Sequence, residues 1–500
     1  MAAQRTKPAP TPGRLAMVVV WDGLRPDFVT PDVTPTLHRL ATGGVWCERS
    51  HCAYPSETRV NASAIATGSY PGRTGITANS IYVPGFDSAD PAAIANTGDH
   101  RHLARIAEID PPLLGIPTTA DQVLADGGAA FVASSGSPGS AFLQAGDPTH
   151  GAAILNHALL RPDSLRDAVI ERFGSPPPNS IPATALSDWV TRGLLELLLP
   201  ERVAPAVRGG DPAIVHWWLT DPDHTAHAVG LGAPETIQSL RENDRRLAAL
   251  MDTLAALELI DHTDVILTSD HGFSTAGPRR WSGSALAALG VPDLPADVEV
   301  VTTGQGGALS IGPSAARHAA AIVRHLQSLE WVGAIFTRDG GPAAGLPGTL
   351  PLSALWNGRV GRRAPDVRFS FAWSDAPNQF GVAGSVLAGS GRGASHGSAS
   401  PHDMRNSLFA WGPRFRRALR SDTPVGAVDV APTVRLLLGL PQTECDGRVL
   451  EELLDVDAPA PHATTRTLDA ALPDGSYRQS LTLARVGATD YVVQATAWRQ

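Results

Sequence analysis

Three short, mostly apolar runs, each leading to an aspartate, constrain the fold of this chain more than any other feature. Residues 15–21 read LAMVVVW and precede Asp22. Residues 214–219 read IVHWWL and lead to Asp223. Residues 265–269 read VILTS and deliver Asp270. A strand with one wet face alternates apolar and polar residues, whereas a strand that lacks the alternation is buried on both faces, as in a parallel sheet covered by helices. An acidic residue at the carboxyl end of such a strand sits where open α/β sheets place ligands. One such aspartate reads as a turn residue. Three at equivalent junctions are harder to account for as turns.

Helical patterns separate the runs. Residues 239–259 are amphipathic through Leu240, Leu247, Leu250, Met251, Leu254 and Leu257, and further helices are expected over 35–42, 119–126, 185–199, 315–329 and 431–438, the last capped by Asp429. Strands alternating with helices imply an α/β sandwich. Residues 1–14 are polar and proline-rich and are expected to form a disordered tail. Residues 80–110 read as irregular. The strand at 129–134 runs into SGSPGS, a loop able to approach a ligand or simply to turn. A strand–helix–strand pattern over 307–337 predicts a small α/β subdomain inserted at 276–384, which leaves 15–275 and 385–455 as the core. Residues 456–500 form a C-terminal extension with a hairpin at 480–485 and 490–496.

Composition narrows the function classes. Apolar residues make up 43% and charged residues 18% of the 500, as in an ordinary globular protein. A net charge of −9 argues against a nucleic-acid surface, and no apolar stretch is long enough to span a membrane. Cys47, Cys52 and Cys445 lack metal-ligand spacing and are odd in number, so a reducing, cytoplasmic location is expected.

The stretch 54–79, YPSETRVNASAIATGSYPGRTGITAN, has the form of a nucleophile loop opening onto a helix. Pro55 and Ser56 end an extended run over 45–53, residues 57–67 suit a helix, and Gly68 stops it. Thr58 falls in the first turn, where unpaired N–H groups and the helix dipole favour an anion. Arg59 follows it, free either to meet a phosphate oxygen or to pair with Glu57 or a sheet-edge carboxylate. Lys7 is the only lysine, so any other cationic helper is arginine, histidine or metal. Hard-ligand residues at strand ends and loops are Asp22, Thr58, Asp223, His227, Asp270, His271 and His396, with His224 and His402 as rivals for the histidine positions. Mixed Asp/His sets suit zinc or another first-row divalent ion. Seven donors are too many for one tetrahedral ion and about right for two.

From Met17 to about Leu450 these segments resemble the alkaline phosphatase superfamily, nearest to its nucleotide pyrophosphatase/phosphodiesterase branch. The resemblance rests on VVVWDGL at 18–24, PSETRVNASAIATGSYP at 55–71, PDHTAH at 222–227, SDHG at 269–272 and SHG at 395–397, in the family's order. It implies an alkaline-phosphatase-like three-layer sandwich with a mostly parallel central sheet. It implies two metal ions, zinc first among them. One would be held by Asp22, Thr58, Asp270 and His271, the other by Asp223, His227 and His396. It further implies that Thr58 is the nucleophile, forming a phosphothreonine, and that Asn79 contacts a non-bridging phosphoryl oxygen, although the segment 74–79 lacks the family's histidine.

The implied substrate is a small-molecule phosphoester. Related monoesterases employ a site lysine, so its absence here tilts the expectation to phosphodiesters and nucleotide-type pyrophosphates. A phosphomonoesterase or a phosphonate or sulfate ester hydrolase of the same superfamily is the alternative, although Cys52-Ala-Tyr-Pro-Ser fails the Cys-x-Pro-x-Arg spacing of the formylglycine enzymes. An inactive metal- or ligand-binding relative is the alternative from another class. Some relatives form homodimers, and a homodimer is one expectation here.

Overall fold

The computed structural model describes residues 13–86, 93–147, 150–280, 297–389, 391 and 393–500. Residues 1–12 of the expected tail and part of the 276–384 stretch lie outside the described residues.

The apolar runs become the middle of one large sheet. Its strands are β1 (Leu15–Trp21), β2 (Val45–His51), β3 (Ala129–Ser134), β4 (Ala153–Asn156), β5 (Leu159–Arg161), β6 (Ala213–Leu219), β7 (Thr263–Thr268), β8 (Arg405–Trp411), β9 (Leu419–Ser421) and β10 (Val425–Gly426). They lie in the order β9-β2-β8-β7-β1-β6-β3-β4-β5, with β10 beside β2. Only two strands break the parallel pattern: β8 runs antiparallel to β2 and β7, and β5 antiparallel to β4. The sheet is therefore mostly parallel, and β7, β1 and β6 are adjacent parallel strands. Their carboxyl ends share one edge.

Every residue of β1 is buried, and alternate side chains enter different cores. Ala16, Val18 and Val20 pack with Val60, Ala62, Ala64 and Ile65 of helix α1 (Thr58–Thr67). Leu15, Met17, Val19 and Trp21 pack with Leu240, Leu247, Leu250 and Leu254 of α2 (Pro234–Ala256). Two helical layers thus enclose the sheet, which is why β1 shows no polar alternation. Each fully buried Val, Leu or Met contributes about 1.5–3 kcal/mol to folding. The C-terminal strands Tyr477–Val486 and Thr489–Arg499 close the α1-side core with Leu481, Leu483, Tyr491 and Val492.

A five-stranded sheet lies within the 276–384 stretch, in the order Val298–Thr303, Gly306–Ile311, Val367–Phe371, Val332–Thr337, Leu350–Pro351, and the helix Ala319–Ser328 packs on it. Among the described residues no helix is long and apolar enough to cross a membrane.

Three local expectations are corrected. The region read as irregular contains the helix His100–Ile109, capped by the Asp99 side chain, with Leu103 and Ile106 buried about one turn apart on its inner face. A third strand, Ala463–Ala471, pairs with the C-terminal hairpin but is mostly exposed, so its sequence carries no alternation. Asp429 does not cap the helix Val430–Leu438 with its side chain. Its carboxylate accepts from the Gly426 and Arg448 N–H groups and the Tyr491 hydroxyl, stapling the C-terminal sheet to the core.

His216 sits in β6 between Val18 and Val132, 1% exposed, with neither ring nitrogen hydrogen-bonded. Burial pushes its imidazole down to about 4. The folded chain thus holds a neutral ring that the unfolded chain protonates below about 6.5. Stability from this group is complete above that pH and is lost as pH falls towards 4. Replacing His216 by leucine should therefore improve stability at pH 5 relative to pH 8 by about 2 kcal/mol, by the linkage relation. Denaturant unfolding of both proteins at the two pH values checks this, because packing changes cancel in the difference. A pH-independent effect of the substitution refutes it.

Candidate functional site

The shared carboxyl edge of β7, β1 and β6 gathers the candidate residues. Asp22 directly follows β1, Asp223 opens a short helix (Asp223–Val229) after β6, and Asp270 and His271 follow β7. Gly23 makes the close approach possible. It has φ +71°, and a Cβ there would lie 2.9 Å from the Phe273 ring and 3.2 Å from Asp223 Cβ. The short helix carries His227 one turn beyond Asp223, and His396 arrives on the loop after Ala394–Ser395. Thr58 is the first residue of α1, whose end at Gly68 adopts φ +79°.

Each histidine is fixed through Nδ1. His227 donates to Ala394 O at 2.9 Å, His271 to Gly272 O at 2.9 Å and His396 to Ser56 O at 2.8 Å. A carbonyl only accepts, so Nδ1 carries the proton and Nε2 turns inward. His271 Nε2 lies 3.1 Å from Asp270 Oδ2, 3.5 Å from Asp22 Oδ1 and 3.3 Å from Thr58 Oγ1. The Nε2 atoms of His227 and His396 each lie 3.3 Å from Asp223 Oδ1.

Asp22 Oδ1, Asp223 Oδ1 and Asp270 Oδ2 are buried without a hydrogen-bond partner. The His271 and His396 rings stack face to face, centroids 3.6 Å apart. Burial, then the neighbouring His271, hold His396 well below the usual imidazole range. Burial also opposes charge on His271, but Asp270 and Asp223 outweigh it and raise that ring. Two stacked imidazolium ions would repel, so His396 is the neutral member. Its bare Nε2 then faces a carboxylate oxygen, lone pair against lone pair. Burial, then Asp270 and Asp223, push Asp22 well above the carboxylate range. Burial pushes Asp223 the same way, but the neighbouring His227 outweighs it and brings the group down. Acceptors crowded on acceptors, dry and unpaired, fit a cationic centre.

Two donor groups meet the spacing a metal ion requires: Asp22, Asp270 and His271, and Asp223, His271 and His396. His271 stands between them, and His227 joins the second group through Asp223. The rival histidines point elsewhere, His224 to Ser180 O and His402 to Asp375.

Beside this centre, the Arg59 N–H donates to Asn79 Oδ1 at 3.1 Å, and the Asn79 N–H donates to buried Glu57. Asn79 is thus held at two points, and its amide N–H₂ has no partner among the described residues. Arg59 forms no ion pair among the described residues, and its Nε is buried without a partner. Pairing with Glu57, one of its two expected roles, is not observed.

Sequence reasoning passed over Trp218, which donates its indole N–H to Asp22 Oδ2 at 3.0 Å, and the Gly23 N–H, which donates to Asp270 Oδ1 at 3.0 Å. Trp218 read as core because it lies inside an apolar run.

An α/β sheet with Asp/His donors and a helix-start threonine at one carboxyl edge defines the class. The sequence pattern described as type I phosphodiesterase / nucleotide pyrophosphatase matches residues 16–328. This chain belongs to that family. Over 259 residues, 51% of this chain and 25% of the relative, it is 22% identical to ectonucleotide pyrophosphatase/phosphodiesterase C27A7.1 of Caenorhabditis elegans. Over 69 residues, 14% of this chain and 15% of the relative, it is 35% identical to human ectonucleotide pyrophosphatase/phosphodiesterase family member 7. Its match to these relatives therefore spans a quarter of their length or less. Among solved structures it is similar to murine ectonucleotide pyrophosphatase / phosphodiesterase 5, described as an inactive threonine-to-alanine variant in complex with AMP. The TM-score is 0.60 at 17% identity, covering 89% of this chain and 100% of that one. That likeness bears on the fold.

Proposed function

We propose that this chain is a metal-dependent phosphoric ester hydrolase, a phosphodiesterase or nucleotide pyrophosphatase that works through Thr58. The observation that carries the reading is Thr58 Oγ1, at the start of α1, 3.3 Å from His271 Nε2, the same ring nitrogen that the unpartnered oxygens of Asp22 and Asp270 face. Asp22, Thr58, Asp270 and His271 would hold one cation and Asp223, His227 and His396 a second, with zinc the first choice for this donor set. Two such cations, when bound, supply the charge that favours the Thr58 alkoxide and offsets charge on the departing oxygen.

Thr58 Oγ attacks phosphorus in line with the ester oxygen. The new Oγ–P bond forms as the P–O bond to the leaving group breaks, and the proton given up by the Thr58 hydroxyl is balanced by one taken up on the departing oxygen, giving a phosphothreonine and the free alcohol. Water then attacks phosphorus as the Oγ–P bond breaks, and a proton from that water restores the Thr58 hydroxyl. The Asn79 amide N–H₂ and the first-turn N–H groups of α1 other than that of Arg59, which Asn79 Oδ1 occupies, would supply donors to the equatorial oxygens, where charge develops. The fold's likeness to a murine enzyme held with AMP supports a nucleotide among the candidate substrates.

The test is a panel of p-nitrophenyl esters with added zinc: phosphate monoester, methyl and phenyl phosphodiesters, phosphonate and sulfate. The diesters should show the highest kcat/KM. A leading monoester or sulfate overturns the diester reading, and no turnover of any ester favours the inactive relative.

Arg59, with no carboxylate paired to it among the described residues, is assigned to a phosphoryl oxygen. Replacing it by methionine removes a charge-assisted hydrogen bond of about 1.5–3 kcal/mol, so kcat/KM should fall about 10- to 100-fold. Unchanged kinetics on every ester would return Arg59 to a structural role.

A further inference from the structure

We infer that Trp218 sets which metal this centre prefers, by reserving one oxygen of Asp22. The inference rests on the metal-centre reading above and goes beyond it, because Trp218 itself touches neither substrate nor cation; it is a positioning residue. The indole lies one residue before the end of β6, in register with Val20 of β1, and is fully buried. From there Nε1–H reaches Asp22 Oδ2 at 3.0 Å and leaves Oδ1 unpartnered, facing His271 Nε2. At Asp270 the Gly23 N–H occupies Oδ1 in the same way and leaves Oδ2 unpartnered. Both carboxylates of this donor group therefore present one oxygen each.

The glycine-serine loop after β3 completes the device. A Cβ at Gly136 would lie 3.0 Å from Trp218 Cδ1 and 3.2 Å from Nε1, so the bare backbone packs against the indole edge. The SGSPGS segment thus supports the indole that orients a donor.

Denticity decides metal preference. Carboxylates held to one oxygen, together with imidazole, give a small donor count suited to four-coordinate zinc. Larger oxygen-seeking ions such as Mn²⁺ and Ca²⁺ prefer more oxygen donors, and a carboxylate free to chelate supplies one more. Removing the indole N–H frees Oδ2 and loosens the ring of donors. Loss of such outer partners typically weakens metal affinity about 10- to 100-fold.

The experiment measures zinc and manganese dissociation constants of the full chain by competition with a chromophoric chelator. Trp218→Phe should raise the zinc constant about 10- to 100-fold and move the zinc-to-manganese preference towards manganese. Gly136→Ala, which displaces the indole without removing it, should shift the preference the same way by less. The preference is read on the molecules that bind, so partial unfolding does not mimic it. Trp217→Phe is the control: that indole faces the opposite core and its Nε1 has no partner, so both constants should hold. A Trp218→Phe chain with wild-type affinity and preference overturns the inference. So does a Trp217→Phe chain with the same shift, which would mean general loosening of the core. A wild-type chain that binds neither metal overturns the inference and the reading beneath it together.

Discussion

Replacing Thr58 by alanine is expected to abolish turnover, a fall on the order of 10⁴-fold or more, while the chain keeps its bound metal. Removing a nucleophile leaves only what positioning and electrostatics supply, and losses of this size are usual for residues that act as one unit. The metal should stay because Asp22, Asp270 and His271 still surround one position, and Asp223, His227 and His396 the other. Only the Thr58 oxygen leaves. The fold should stay as well, since the helix starts at Thr58 without a side-chain cap from its neighbour Glu57, and alanine has the better helix propensity. Thr58→Ser retains the hydroxyl and should recover part of the rate. Steady-state kinetics with elemental analysis of the same samples decides the matter. An alanine variant with substantial activity removes Thr58 from the mechanism. Loss of metal and activity together leaves Thr58 as a ligand with no demonstrated chemistry.

How much of this was legible beforehand depends on the kind of signal each residue leaves. The three aspartates could be read because each ends an apolar run, and parallel strands bring such ends to one edge by construction. Thr58 could be read because a helix start is marked locally, by Pro55 and Ser56 before it and Gly68 after it. The stacking of His396 on His271 was not legible, because it joins two loops 125 residues apart and leaves no periodic trace. The same holds for Trp218, whose contact with Asp22 crosses 196 positions of sequence. The direction of β8 was likewise hidden, since a strand buried on both faces reads the same parallel or antiparallel. Ala463–Ala471 escaped for the opposite reason, because it buries too little to impose a pattern, whereas His100–Ile109 did leave a readable signal in its Asp99 cap and in Leu103, Ile106 and Ile109 at helical spacing. Asp429 misled because an aspartate ahead of a helix normally caps it, whereas here its oxygens serve Gly426, Arg448 and Tyr491. Local rules locate the strand ends, and packing between distant segments decides what surrounds them.

Replacing Asp22 by asparagine should change the sign of its effect on stability according to whether metal is bound. In the metal-free chain Asp22 is buried near Asp270 and Asp223, and burial followed by those two like charges pushes its carboxyl well above the ordinary range. The charged form is thus a liability without a cation. An amide can keep its oxygen on the Trp218 N–H and turn its N–H₂ towards the unpartnered Asp270 Oδ2. This removes one charge and adds a donor among acceptors, which should stabilise the metal-free chain by about 1–3 kcal/mol, the size of a relieved buried polar group. With zinc the ranking should reverse. A ligand at one hundred times its dissociation constant stabilises the folded state by about 2.7 kcal/mol, and losing an anionic donor forfeits much of that gain. Asp22→Asn should therefore melt above the wild type in excess chelator and below it in excess zinc, with activity lost in both. Thermal unfolding under the two conditions is the measurement. A variant that melts lower than the wild type in both makes Asp22 a structural residue that needs its charge. A variant that melts higher in both means that no cation meets this carboxylate in the folded chain.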